Sequence, residues 1–228
     1  MILEPRHRLF IVLATTFCTC LTVGDIIGGK LIEIPLFGVQ FTTTVGMIPF
    51  PVTFLLTDVL NEFYGKSAAR FVTLVGFGMA LLAFAVIYIA GAVPIAPLAQ
   101  QADWQGVTEA SFNNVFLGSQ RMIAASLTAY LVSQFVDIAA FHGLRRLTGG
   151  RYLWLRASGS TAVSQLVDTV VINLVAWVGM MPLEKIFQIV GSAYGLKLAI
   201  AIGLTPAIYA CHVAVERTLG LKPFQPEA

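Results

Sequence analysis

The sequence predicts an all-α membrane protein: six transmembrane helices in a bundle, with residues 1–228 forming one integral membrane domain and both termini in the cytoplasm. Three observations carry this expectation. Of 228 residues, 57% are hydrophobic and only 11% are charged, against about 25% charged in a soluble domain. Mean hydropathy is +0.81. Six apolar stretches are each near or above the roughly 20 residues a helix needs to cross a bilayer. A soluble globular fold and a disordered chain are excluded. So is nucleic-acid binding, because 14 Lys+Arg against 12 Asp+Glu give only +2, with no basic block. A β-barrel would show short alternating segments rather than runs such as Leu74–Ile89.

The first span, about Arg8–Gly29, follows Arg6, His7 and Arg8 in the order of a signal peptide. It lacks a small-residue cleavage site and stays apolar past Cys20, so it is read as retained. The second, about Thr44–Phe63, contains Gly46, Pro49 and Pro51, which predict a bent or broken helix whose neighbours re-satisfy its backbone. The third, about Ala69–Val93, leads into a long loop, Pro94–Ser119, that has no Lys or Arg. The fourth and fifth, about Gln120–Phe141 and Ala157–Met180, are joined by a short Arg-rich loop, and the sixth runs about Phe187–Val213.

Orientation follows from the basic residues outside the spans. Arg6, Arg8, Lys66, Arg70, Arg145, Arg146, Arg151, Arg156, Arg217 and Lys222 fall on one side, and Lys30 and Lys185 on the other. This split predicts an N-in, C-in, multi-pass membrane protein with an even number of spans. Cys18, Cys20 and Cys211 lie in spans without a C-x-x-C pattern, and His7, His142 and His212 are dispersed. No metal and no cofactor is expected.

The residues of interest are those that ought not to be in a bilayer. Asp25, Asp58, Arg121, Asp137, Asp168 and Lys197 lie within spans, where each costs about 2.5–3.5 kcal/mol at a helix centre. Such groups face the bundle interior, either at a functional site or in an internal ion pair. Asp168 and Lys197 lie at similar depth on neighbouring spans and can meet. Asp25 and Arg121, both toward the outer side, read as a structural pair.

The polar neighbours sharpen the picture. Span four reads Ser133-Gln134-Phe135-Val136-Asp137, and span five repeats the S-Q-x-V-D pattern at Ser164-Gln165-Leu166-Val167-Asp168. Gln and Asp at i and i+3 share a helix face. The extended faces are Ser126, Tyr130, Gln134 and Asp137 on one helix, and Thr161, Ser164, Gln165 and Asp168 on the other. Polar stripes also glue spans together, but paired amides and carboxylates on two facing helices point to a ligand site. A carboxylate accepts two parallel N–H bonds from a planar edge, as in guanine-like bases and guanidinium groups, and a carboxamide serves an adjacent carbonyl. Tyr130, Phe135, Phe141 or Trp177 can cover a flat ring. The same chemistry also suits an organic cation or a proton relay.

At these residues the chain resembles the bacterial queuosine precursor transporters, a family also grouped as vitamin uptake transporters. The resemblance rests on Pro49–Lys66 (PFPVTFLLTDVLNEFYGK), Gln134–Arg145 (QFVDIAAFHGLR), Arg156–Thr169 (RASGSTAVSQLVDT) and Lys197 after Tyr194-Gly195. It departs in span one, where Asp25 stands in place of an expected Asn. The resemblance implies a small-molecule substrate, a deazaguanine base: 7-cyano-7-deazaguanine or 7-aminomethyl-7-deazaguanine. Substrate contacts then fall to Gln134, Asp137, Gln165, Asp168, Lys197 and Tyr130. Asp58, Asn61 and Glu62 share one face of span two and form a cytoplasmic gate or coupling group with Arg145 or Arg156. The partners are that base and the lipid bilayer, not nucleic acid; a homo-oligomer is left open.

Rival readings are weaker. An intramembrane aspartyl protease needs G-x-G-D, and Thr22-Val23-Gly24-Asp25 lacks the first glycine. A rhomboid-type Ser/His pair has no G-x-S partner loop. The alternative within transport is the substrate-binding subunit of an energy-coupled vitamin or nucleobase importer. No P-loop is present for its ATPase, and Gly76, Gly78 and Ala80 would be the docking face. A purely structural scaffold would let the buried charges be replaced in pairs.

Overall fold

The computed structural model describes residues 4–28, 30–36, 39–101, 103–117 and 120–224. Among these, helices dominate. Five helical stretches are long and apolar enough to cross a membrane: Pro5–Ile27, Val45–Ala92, Ile123–Leu147, Leu153–Trp177 and Leu183–Leu219.

Helix α1 (Pro5–Ile27) begins with proline, whose fixed φ and missing N–H suit a first turn. At about 1.5 Å per residue it is some 35 Å long. A two-stranded antiparallel hairpin follows, β1 (Leu31–Leu36) and β2 (Val39–Thr44), in register from Leu31↔Thr44 to Leu36↔Val39. This hairpin corrects the expected start of the second span at Thr44: strand runs through that residue, and a short 3₁₀ turn, Val45–Met47, separates it from the next helix. The sequence Val39-Gln-Phe-Thr-Thr-Thr is rich in β-branched residues, which fit a pleated surface better than a helix.

Helix α2 (Phe50–Ala92) joins the expected second and third spans without a loop. Gly65 breaks it, at φ 78° and ψ 179°. That conformation is essentially confined to glycine. The limb before Gly65 runs antiparallel to α1: Pro49 closes on Gly24 at one end, and the Phe10 and Tyr64 rings lie 5.2 Å apart at the other. The limb after Gly65 returns along α1, bringing Gly76 against Phe17 and Leu21. Gly76 and Ala80 are therefore internal packing positions rather than an outward docking face; Gly78 is open. The core between α1 and α2 holds Leu13, Phe17, Val59, Leu60, Phe63 and Val72.

The loop after α2 forms helix α3 (Glu109–Phe116), capped by reciprocal bonds between Thr108 and Ser111. Helices α4 (Gln120–Leu147) and α5 (Leu153–Trp177) are antiparallel and pack closely along their length. Gly149 and Gly150, both at positive φ, make the tight connection. The expected sixth span is two helices, α6 (Leu183–Gly203) and α7 (Thr205–Leu219). Pro206 in the first turn of α7 cannot donate into the preceding turn, so the helix breaks at Leu204. Gly220, left-handed at φ 62°, caps α7 and turns the chain back toward the Gly65 break. There the Phe224 N–H donates to the Glu62 carbonyl at 2.8 Å, and its ring covers Gly65 so closely that a Cβ would lie 2.7 Å from it.

Burial is inverted relative to a soluble protein. Asp58, Asn61, Glu62, Gln134, Asp137, Arg156 and Gln165 are buried, while Phe71, Leu74, Leu82, Val86 and Ile89 are exposed. A chain whose outer face meets lipid has this distribution. The protein is an all-α multi-pass membrane protein with one small β-hairpin.

Candidate functional site

The S-Q-x-V-D segments of α4 and α5 face each other and exchange contacts. Ser164 Oγ on α5 donates to Asp137 Oδ1 on α4 at 3.0 Å. Ser133 Oγ on α4 donates to Asp168 Oδ1 on α5 at 3.2 Å. Each serine can turn its proton instead to its own helix, Ser164 to the Thr161 carbonyl and Ser133 to the Tyr130 carbonyl. Because the helices are antiparallel, equivalent residues of the two segments meet around a local two-fold axis.

The two halves differ in what neutralises them. Asp168 Oδ2 accepts from Lys197 Nζ of α6 at 2.7 Å, and that ammonium also lies 5.4 Å from the centre of the Phe50 ring. Phe50 pairs with Phe54, their ring centres 4.4 Å apart. The Tyr194 hydroxyl ties α6 to α5 by donating to the Ala162 carbonyl at 3.1 Å. Asp137 has no such cation: Oδ2 is buried and unpartnered. Ser160 faces the same carboxyl, but its hydroxyl is donated to the Ala157 carbonyl at 3.1 Å. Gln134 Oε1 and Gln165 Oε1 are likewise buried without partners. Orphaned buried acceptors are rare and costly, about 1–3 kcal/mol each, unless a ligand or water serves them.

Asp25, at the C-terminal end of α1, accepts from Ser126 Oγ of α4 at 2.9 Å and lies within electrostatic reach of Asp168. The expected partner, the Arg121 side chain, lies outside the described residues. Tyr130 is placed apart from the amide–carboxylate set. Its ring packs beside Phe17 in the α1–α2 core, and its hydroxyl donates to the Thr73 carbonyl at 3.1 Å. Phe141 is fully buried against Leu153, Ala157 and Ile208. Phe50 is an aromatic ring next to the Lys197–Asp168 pair, a role its sequence position did not signal.

Glu62 organises a second polar cluster, at the end of the bundle where α2 breaks. Arg156 of α5 grips it with a two-pronged bond, Nε to Oε2 at 3.0 Å and Nη2 to Oε1 at 2.6 Å. Arg145 lies 3.9 Å away and His212 of α7 lies 3.7 Å away. Arg145 also donates to the Phe224 carbonyl. Asn61 meets His142 at 3.2 Å. The cluster therefore joins α2, α4, α5, α7 and the C-terminal segment. Asp58, one turn further in, is buried with neither carboxylate oxygen partnered. His212 and Phe224 were not foreseeable, since both arrive by long-range packing.

A separate apolar recess of about 450 Å³ lies between the end of α2 and α3, lined by Ala90, Gly91, Trp104 and Phe112 among others. It is remote in sequence and character from the amide–carboxylate set.

The profile of a family described as "Putative vitamin uptake transporter" matches residues 44–211. The chain belongs to this family. The matched stretch contains the whole α4–α5 site, Lys197 and the Glu62–Arg156 pair. A Bacillus subtilis (strain 168) protein named "Probable queuosine precursor transporter" is 34% identical over 178 residues, covering 78% of this chain and 74% of that one. The Escherichia coli (strain K12) "Queuosine precursor transporter" is 29% identical over 64% of this chain and 61% of its own length. A Haemophilus influenzae protein named "Probable queuosine precursor transporter" is 28% identical over 60% of this chain and 53% of its own length. No solved structure matches. Within the vitamin uptake transporter family, the paired S-Q-x-V-D segments and Lys197 are the polar centre of this member's bundle.

Proposed function

We propose that the chain imports 7-deazaguanine precursors of queuosine, 7-cyano-7-deazaguanine and 7-aminomethyl-7-deazaguanine, across the bacterial inner membrane, and is not an enzyme. Counting the two limbs of α2 as two crossings and α6–α7 as one gives six, with both termini cytoplasmic. The ten-to-two distribution of Lys and Arg supports that orientation. The names of the relatives support the substrate class.

One observation carries the site assignment: Asp137 Oδ2, Gln134 Oε1 and Gln165 Oε1 are buried, unpartnered acceptors on two helices that face each other. A guanine-like base brings a planar donor edge, N1–H with the 2-amino group, and a carbonyl beside it. The edge binds one carboxylate of the Asp137–Asp168 pair, a carboxamide N–H donates to the carbonyl, and the unpartnered carboxamide oxygens accept from the remaining N–H groups of the base. The aminomethyl precursor adds an ammonium for the second carboxylate. Phe50 offers a ring face near Lys197 for the flat base.

Uptake of labelled precursor into cells carrying Asp168→Asn or Gln165→Ala tests this assignment. Loss of one charge-assisted bond predicts about ten- to hundredfold weaker uptake at low substrate. Normal uptake at normal expression would remove both residues from the site.

A further inference from the structure

Asp58 is left unused by the substrate contacts above. It is 3% exposed, and neither of its carboxylate oxygens has a hydrogen-bond partner. Within electrostatic reach are Asp137 of α4, Glu62 of its own helix and Arg156 of α5. The one cation among these is committed, because Arg156 is locked to Glu62 through two bonds and to the Gly150 carbonyl through a third at 2.7 Å. With His212, 3.7 Å from Glu62, and His142 neutral, Asp58, Asp137 and Glu62 set against Arg145 and Arg156 leave one negative charge over. A bare carboxylate in a bilayer interior is expensive unless a cation accompanies it.

The local two-fold axis points the same way. Across it, Asp168 corresponds to Asp137. Asp168 has a covalently tethered cation, Lys197, at 2.7 Å. The equivalent Asp137 instead lies within electrostatic reach of Asp58, a second carboxylate, on helices that Asn61 and His142 tie together at 3.2 Å one turn further along. An oxygen from a neutral side chain completes the set: Gln134, on the Asp137 face and 7% exposed, has its Oε1 unpartnered. Four buried oxygens without partners, Asp58 Oδ1, Asp58 Oδ2, Asp137 Oδ2 and Gln134 Oε1, thus belong to three neighbouring side chains on α2 and α4, whereas the other half of the site has an ammonium.

We propose that Asp58 and Asp137 together hold one exchangeable monovalent cation, a proton or a sodium ion, that travels with the substrate. With the cation on Asp58 and Asp137, the donor edge of the base falls to Asp168; Asp58 lies one helical turn from Glu62, so cation release and opening of the cytoplasmic side are linked. The cation is taken up from the outer side with the base bound and leaves toward the cytoplasm once the Glu62–Arg156 contact parts. This inference rests on the transport reading and adds the ion that drives it.

The test uses the purified full chain in proteoliposomes with labelled 7-cyano-7-deazaguanine, which is uncharged. Uptake is followed under an inward proton gradient, an inward sodium gradient, and neither. The native chain accumulates base above the external concentration under one gradient only, which identifies the ion. Asp58→Asn equilibrates the base and supports counterflow exchange but no longer accumulates it. Accumulation by Asp58→Asn equal to the native chain, or mere equilibration by the native chain under every gradient, would overturn the proposal. If the native chain moves no deazaguanine at all, the transport reading itself fails. The cation site is then judged by infrared spectroscopy of the purified protein. A protonated-carboxyl signal that alkali or sodium removes, and that is missing in Asp58→Asn, supports the site. Identical carboxyl spectra in both proteins under all conditions overturn it.

Discussion

Ser164 of α5 donates to Asp137 of α4 at 3.0 Å, and Ser133 of α4 returns the contact to Asp168 of α5 at 3.2 Å. The recurrence of S-Q-x-V-D 31 positions apart (164 − 133) is therefore a contact in space as well as a pattern in sequence. In each half the serine precedes its own aspartate by four residues, one helical turn. Two such helices placed antiparallel bring each serine level with the other helix's aspartate. Both carboxylates are held from across the interface, which fixes their separation and leaves the intervening amides facing the bundle interior.

The Lys197–Asp168 pair is the fixed charge pair of this centre. Lys197→Met removes the 2.7 Å contact and leaves Asp168, among the described residues, with the Ser133 hydroxyl as its hydrogen-bond donor. Breaking a buried pair from one side costs about 3–5 kcal/mol, whereas removing both charges is far milder; this pair is part-exposed, so the lower end or less is expected. Thermal unfolding in detergent should show Lys197→Met well below the native midpoint and Lys197→Met/Asp168→Asn partly recovered, with uptake absent in both. Equal midpoints for the native chain and Lys197→Met would show that the pair does not hold the bundle.

Glu62 is more deeply placed and more heavily committed. Glu62→Gln keeps the shape but leaves Arg156 and Arg145 without a counter-charge at the junction of four helices. The loss should approach about 3–5 kcal/mol. Glu62→Asp, which keeps the charge on a shorter arm, should fall between. A pulse-proteolysis series ranks the three, and a ranking with Glu62→Gln as stable as the native chain would contradict the role.

Gly65 is required by backbone geometry. Any side chain at φ 78° and ψ 179° is strained by about 1–3 kcal/mol, and here a Cβ would also meet the Phe224 ring. Gly65→Ala should lower stability, and Gly65→Ala/Phe224→Ala should relieve the steric part alone. If the double variant recovers fully, strain at Gly65 is negligible and only the ring contact counts.

Legibility differed from element to element, for physical reasons. The long apolar helices and the α4–α5 face could be read because each rests on a local period, 3.6 residues, over many turns. Tyr130 fell on that face by the same period, yet its ring turned to the α1–α2 core because Phe17 and the Thr73 carbonyl complete its apolar and polar ends. The β1–β2 hairpin escaped because a dozen residues between two strongly apolar stretches were read as a connection. The α2 break looked like a loop, since Tyr64-Gly65-Lys66 is polar; one left-handed glycine turns the chain without needing a loop. The α6–α7 break did have a local signal in Pro206. The Phe224 contact with Glu62 and Gly65 is long-range packing that no window of sequence contains.

The proposed orientation rests on the distribution of Lys and Arg and is open to labelling. Single cysteines introduced at Glu109 and at Arg151, in a chain whose native cysteines are replaced, should react with a membrane-impermeant maleimide from opposite sides. Glu109 should label in intact cells with the outer membrane permeabilised, and Arg151 only in inverted vesicles. The reverse pattern would contradict cytoplasmic termini, and labelling of both from one side would contradict the count of crossings between them.

The central claim is that this chain alone moves a deazaguanine base through the Gln134–Asp137 and Gln165–Asp168 centre. Uptake of labelled 7-cyano-7-deazaguanine by proteoliposomes containing only the purified chain tests it most directly. The account predicts saturable uptake that is competed by bases with an intact N1–H and 2-amino edge, and that is at least about tenfold weaker in Gln165→Ala at low substrate. No uptake without a second protein, or uptake indifferent to Gln165 and competed equally by unrelated organic cations, would contradict it.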